Sequence, residues 1–135
     1  MSVNYNNNGS LEKIAGRAEA EEPLYAKYSA PSGSVSITAD TWYTLTSITL
    51  EKAGTYLINY HARFPTTNIY MNGGVATSQV QIFDFQDQSG TGIFGYMNGN
   101  KIITVNANTT LYFRASTSGQ NSTADGICLS AIKIA

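Results

Sequence analysis

The chain has 135 residues, enough for one domain with a modest core and a terminal appendage. Charged residues are only 13% of it, about half the usual share, and the formal net charge is −1. No Lys/Arg cluster supplies an electrostatic footprint for nucleic acid. Solubility rests instead on Asn, Thr, Ser and Gln, a neutral surface suited to glycans or to packing among copies of the same chain.

The first 34 residues differ from the rest. The start, Met1 to Ser10, has neither the basic region nor the apolar core of a secretory leader. The expectation is a protein that stays where it is made or leaves by cell lysis. The triplets at Asn8, Asn108 and Asn121 match the glycosylation pattern and, without a secretory route, are read as chance. No apolar run reaches membrane-spanning length. Asn6-Asn7-Asn8-Gly9-Ser10 cannot bury apolar area. Ser10 can cap a short helix from Leu11, with Leu11, Ile14 and Ala15 on one side, Gly16 weakening its middle and Pro23 ending it. Such a helix is marginal alone and orders on binding something else. Up to Glu22, Glu12, Glu19, Glu21 and Glu22 against Lys13 and Arg17 give net −2, and the remainder from Pro23 on is net +1.

From there the chain reads as strands and turns. Leu24 to Tyr28 is a short strand, and Val35 and Ile37 alternate. Trp42 to Leu50 places Trp42, Thr44, Thr46, Ile48 and Leu50 on one face, which sends Trp42 into the core. A charged turn closes on Gly54. The run that follows puts Tyr56, Ile58, Tyr60, Ala62 and Phe64 on an apolar face and Leu57, Asn59, His61 and Arg63 on a mostly polar one. Pro65 stops it. Asn72-Gly73-Gly74 reads as a turn, Thr77 to Phe85 as a strand and Ser89 to Gly92 as a turn. Ile93 to Met97 and Lys101 to Val105 read as strands around a turn at Asn98-Gly99-Asn100. A turn at Asn106 to Asn108, a strand at Leu111 to Ala115, a polar loop from Ser116 to Gly126 and a strand from Ile127 to Ile134 complete the chain. Eight or so short strands with frequent turns and no fixed repeat predict a β-sandwich or closed sheet.

Catalytic and metal chemistry lack their usual groupings. His61 is the only histidine and Cys128 the only cysteine, so neither a zinc cluster nor a disulfide framework is encoded. Cys128 lies in an apolar run and reads as a small buried hydrophobe. Asp84 and Asp87 stand three apart without the ligand spacing of a calcium loop. Glycoside hydrolysis needs two facing carboxylates. Of Asp40, Glu51, Asp84, Asp87 and Asp125, only Asp84 lies inside a predicted strand, and it has no evident partner. The expectation is no enzyme, no cofactor and no metal.

The aromatic count says more. Nine Tyr, five Phe and one Trp exceed what one small sandwich core requires. The strand from Thr110 to Ala115 carries Tyr112 on one face and Phe113 on the other, and a strand apolar on both faces needs cover on both sides. Another subunit, or a loop such as Pro65 to Ala76, would supply it. Tyr112, Phe113 and Arg114 are therefore the expected subunit interface.

Three stretches carry a family resemblance. Leu50-Glu51-Lys52-Ala53-Gly54-Thr55-Tyr56-Leu57-Ile58-Asn59-Tyr60, Asn108 to Ala115 and Ile127 to Ala135, in this order and spacing, resemble the jelly-roll domains of the C1q and tumour-necrosis-factor-like family in the form seen on bacteriophage surface proteins. The resemblance covers residues 33 to 135. It implies an all-β jelly-roll sandwich, a homotrimer with an aromatic axis, and binding rather than catalysis. The animal members' collagen-like repeat is absent. The opening from Asn4 to Gly16 resembles the start of small phage structural proteins. The implied organisation is a virion-anchoring segment over residues 1–32, extended or partly helical, and a head over 33–135. The implied function is a trimeric virion surface protein, assembled in the host cytoplasm, whose head touches the host envelope, its saccharides first, and whose N-terminal segment binds other virion proteins. A capsid decoration or head-fibre protein without receptor binding is the alternative. A small glycan-active enzyme is a further one. A saccharide site needs a ring for the sugar face and amides or carboxylates for its hydroxyls. The loops supply Tyr70, Asn72, Asp87, Tyr96, Asn98, Gln120, Asn121 and Asp125.

Overall fold

The computed structural model describes residues 24–66, 69–79, 86–89 and 95–135. Among these residues there are nine strands and no helix: β1 (Ala26–Ser29), β2 (Val35–Ile37), β3 (Tyr43–Leu50), β4 (Gly54–Phe64), β5 (Tyr70–Ala76), β6 (Gln86–Ser89), β7 (Gly95–Val105), β8 (Thr109–Ser118) and β9 (Ser122–Lys133). The expected helix after Ser10, most of the strand predicted over Thr77 to Phe85 and the carboxylate of Asp84 lie outside the described residues.

Two antiparallel sheets face each other. Sheet I has the order β1-β9-β4-β7, with β2 following β1 along the same edge of β9, and sheet II has the order β3-β8-β5-β6. The pairings nest: β1 with β9, β3 with β8, β4 with β7, β5 with β6. A long antiparallel ribbon rolled around the core gives this order, which is the wind of a jelly roll. The core follows from β4. Tyr56, Ile58, Tyr60, Ala62 and Phe64 are all buried, as their alternation predicts. They meet Leu45, Ile48, Leu50, Leu111 and Phe113 from sheet II. The rings of Tyr60 and Phe113 meet across the layer with centroids 5.1 Å apart and planes tilted by 55°. The end of the chain folds back beside the start of β4, where the Thr55 amide donates to the Ala135 carbonyl at 2.9 Å.

Five predicted features come out differently, each for a local reason. Asn72-Gly73-Gly74 is not a turn but the middle of β5, paired with Ser116, Ala115 and Arg114. A Cβ on Gly73 would stand 2.5 Å from Met97 Sδ and 2.6 Å from the Arg114 carbonyl oxygen. The glycine is there for close packing, not for chain reversal. Since β5 occupies Tyr70–Ala76, Pro65 to Ala76 is not a covering loop. Asn98-Gly99-Asn100 continues β7, held by pairing with His61, Tyr60 and Asn59 of the unbroken β4. The polar loop expected over Ser116 to Gly126 shrinks to Gly119-Gln120-Asn121, because β8 and β9 extend into it. Trp42 is 37% exposed rather than in the core. A β-bulge lies between the Thr44–Arg114 and Thr46–Phe113 pairs, leaving buried Leu45 as the extra residue. It reverses the alternation, so Trp42 ends on the outer side. The sandwich also reaches back into the segment 1–32, since Ala26–Ser29 pairs with β9.

Candidate functional site

Among the described residues, a group of chemically distinctive side chains lies on the outer face of sheet I, where Arg63, Asp125, His61, Tyr96, Asn98 and Cys128 stand together. Alternation in β4 sends Asn59, His61 and Arg63 outward because their neighbours fill the core. β7 presents Asn100 beside Asn59, Asn98 beside His61 and Tyr96 beside Arg63, and β9 presents Cys128 beside His61.

Register between β4 and β9 breaks between His61 and Arg63. Gly126, at φ +57°, lies in the break. The shift brings Asp125 level with Arg63. Arg63 Nε donates to Asp125 Oδ1 and Nη2 to Oδ2, both at 2.6 Å. This bidentate pair holds the Asp125 carboxyl below the usual carboxylate range, against the smaller opposing effect of burial, and raises the Arg63 guanidinium. The same break frees the Gly126 carbonyl to accept from His61 Nδ1 at 3.0 Å. The imidazole is thereby oriented with its ring centroid 6.1 Å from that of Tyr96. Beside it Asn59, His61, Asn98, Asn100 and Cys128 line a shallow cavity of about 200 Å³. Two rings, three amides and an internally neutralised ion pair can hold polar, uncharged groups by hydrogen bonding and stacking.

The eight residues expected to bind saccharide do not form one site. Tyr96, Asn98 and Asp125 belong to this face, with Asp125 already committed to Arg63. Tyr70, 53% exposed, and Asn72 lie on β5 in sheet II. Asp87 pairs with Asn72 through the β5–β6 ladder. Asn121 serves the chain itself, its Oδ1 accepting from the Ala39 amide at 2.9 Å, and the exposed Gln120 holds the β8–β9 turn through its backbone carbonyl, which accepts from Thr117 Oγ1 at 2.7 Å. Of the expected interface residues, Phe113 is fully buried in the chain's own core. Arg114 is held over sheet II, its Nη1 donating to the Gln79 carbonyl and its guanidinium 5.9 Å from the centre of the Trp42 ring. Tyr112 is half-buried on β8.

Sequence reasoning did not single out Asn59, His61, Arg63, Asn100 or Cys128 for this face. The polar alternation of β4 carries the signal, but Asn98-Gly99-Asn100 on β7 has the local chemistry of a turn, which conceals its pairing with β4.

No protein-family model and no curated protein matches the chain. Among solved structures it is similar to VP2 in the crystal structure of the infectious bursal disease virus subviral particle. The TM-score is 0.55 at 15% identity, over 83% of this chain and 32% of that one. A structure of the Gx strain of infectious bursal disease virus aligns over the same shares, at 13% identity and a TM-score of 0.49. The chain thus spans about a third of the length of these viral proteins. At this identity the likeness is one of fold: the chain is a β-sandwich of a kind found in a viral particle protein.

Proposed function

We propose that the chain is a surface component of a virus particle, a jelly-roll head of the C1q and tumour-necrosis-factor-like form carried on a bacteriophage. It assembles as a homotrimer, is attached through its N-terminal segment and is presented to the host envelope. The observation that carries this reading is the nested strand order together with its match to a protein of a subviral particle. Self-assembly is supported by the outer face of sheet I. Tyr28, Ile102 and Tyr96 are exposed there, and the Leu57–Ile102 and Leu57–Ile132 pairs add two more apolar positions in one row with Ile102 across the strands. The ion pair of Arg63 with Asp125 on this face is internally satisfied. Depletion of charge with enrichment of aromatic rings is the mark of an interface centre.

Mass spectrometry and antibody labelling of purified particles test the reading. The chain is expected in stoichiometric amount on the particle exterior. Its absence from particles purified to constant composition overturns the proposal. Labelling confined to the capsid lattice favours decoration, and labelling at the tail tip favours host attachment.

A further inference from the structure

We infer that the groove at the β7–β8 turn is a binding site for an uncharged saccharide. The groove has a volume of about 580 Å³ and is lined by Thr77, Thr104, Asn106, Asn108, Thr110 and Tyr112, among others. That size falls within the range of small-ligand sites. Among the described residues its lining contains no Asp, Glu, Lys, Arg or His.

The chain builds this lining by reversing direction. Val105 ends β7 in sheet I and Thr109 begins β8 in sheet II. Asn108 makes the reversal at φ +60°, a left-handed conformation that asparagine tolerates. Thr109 Oγ1 pins the turn by donating to the Asn106 carbonyl at 2.7 Å. Two threonine pairs fix the walls: Thr55 with Thr104 at 2.9 Å, and Thr49 with Thr110 at 3.0 Å. Each of these hydroxyls keeps acceptor capacity beyond its one bond. Among the described residues, no hydrogen bond engages the side chains of Thr77, Asn106, Asn108 or Tyr112. Tyr112, which lines the groove, stands beside Ala76 on β5.

The chemistry of the lining selects the ligand. A pyranose has an apolar face that packs on a tyrosine ring and a rim of hydroxyls that both donate and accept. Asparagine amides and threonine hydroxyls offer both roles in return. A phosphate or carboxylate would give up its hydration with no cation among the described lining residues to replace it. A purely apolar ligand would strand two amides. The walls are fixed by strand pairing, so little ordering accompanies binding. None of the lining residues lies on the row of sheet I proposed to join subunits. The inference requires only the folded chain, and its biological setting rests on the virion reading above.

The experiment is an amide NMR titration of the ¹⁵N-labelled full chain. Two sets of probes are used: neutral oligomers of glucose, galactose, mannose and N-acetylglucosamine, and uronic-acid oligomers of matching length. At least one neutral probe is expected to shift resonances from Thr104 to Tyr112 and Thr77, and the acidic probes to bind more weakly. Tyr112→Ala and Asn106→Ala are each expected to weaken that binding about tenfold, an affinity change read directly from the titration. Tyr112→Phe, which keeps the ring, is expected to retain most of it. The Tyr112→Phe arm keeps the test meaningful if Tyr112→Ala loosens the fold. Absence of shifts with every neutral probe overturns the inference. So do shifts confined to the Tyr96–Asp125 face, or tighter binding of the acidic set. None of these outcomes bears on whether the chain is found in particles.

Discussion

Arg63 and Asp125 meet fork to fork, both contacts at 2.6 Å, at the one place where β4 and β9 lose register. The pair makes the stability of the domain depend on pH in a definite direction. Arg63 holds the Asp125 carboxyl below its ordinary value. A depressed carboxylate stabilises the fold fully above the unfolded value of about 4 and loses that contribution as pH falls through the lower native one. Asp125→Asn should therefore be less stable than the native chain at pH 7, and the two should converge as pH falls below the depressed native value of the Asp125 carboxyl. Urea unfolding across this range checks it. Equal stability at neutral pH would show that solvent screening already cancels the pair.

The sequence displayed the sandwich through β4, whose five core residues and outward set both follow from a period of two. It did not display the bulge at Leu45, because a bulge is one extra residue whose position depends on the partner strand. Trp42 was placed on the wrong side for that reason alone. Gly73 and Gly99 carry turn chemistry locally but lie in strands, because β8 and β4 pair through them. The same misreading hid the site. Once Asn98 to Asn100 is strand rather than turn, its side chains fall beside Asn59 and His61.

Phe113 decides how the two layers are joined. It is completely buried and meets the Tyr60 ring at a tilt, whereas its neighbour Tyr112 is half-buried. Phe113→Ala should cost about 3–5 kcal/mol, close to the whole stability of many small domains. Tyr112→Ala should cost much less. Denaturant midpoints of the two variants should be well separated. Similar midpoints would mean that Tyr112 is as deeply engaged as Phe113.

Gly73 should tolerate nothing larger. An added methyl group meets Met97 Sδ at 2.5 Å and the Arg114 carbonyl at 2.6 Å. Met97 is flexible, but the carbonyl belongs to the β5–β8 ladder. Gly73→Ala should thus destabilise by about 1–3 kcal/mol, and combining it with Met97→Ala should not restore stability. Thermal unfolding of the single and double variants reads this. A neutral Gly73→Ala would mean that the ladder gives way at Arg114.

The outer face of sheet I carries the last prediction. Ile102 is 60% exposed and Tyr28 70% exposed, in neighbouring rows that the sheet registers tie together. Ile102 stands beside Leu57, Leu57 beside Ile132, and Tyr28 beside Ser130, which faces Asn59. Substituting lysine at either position leaves the core untouched, since both side chains point to solvent in the single chain. Buried against a second copy, each would bring a charge into an apolar contact without a partner. Light scattering should give the mass of three chains for the native protein and a shift to single chains for Ile102→Lys and Tyr28→Lys, with circular dichroism unchanged. Thr49→Lys, on the exposed side of sheet II, should leave the mass as it is. A native protein that runs as a monomer at micromolar concentration removes the trimer. A trimer that survives both lysines but not Thr49→Lys moves the interface to sheet II.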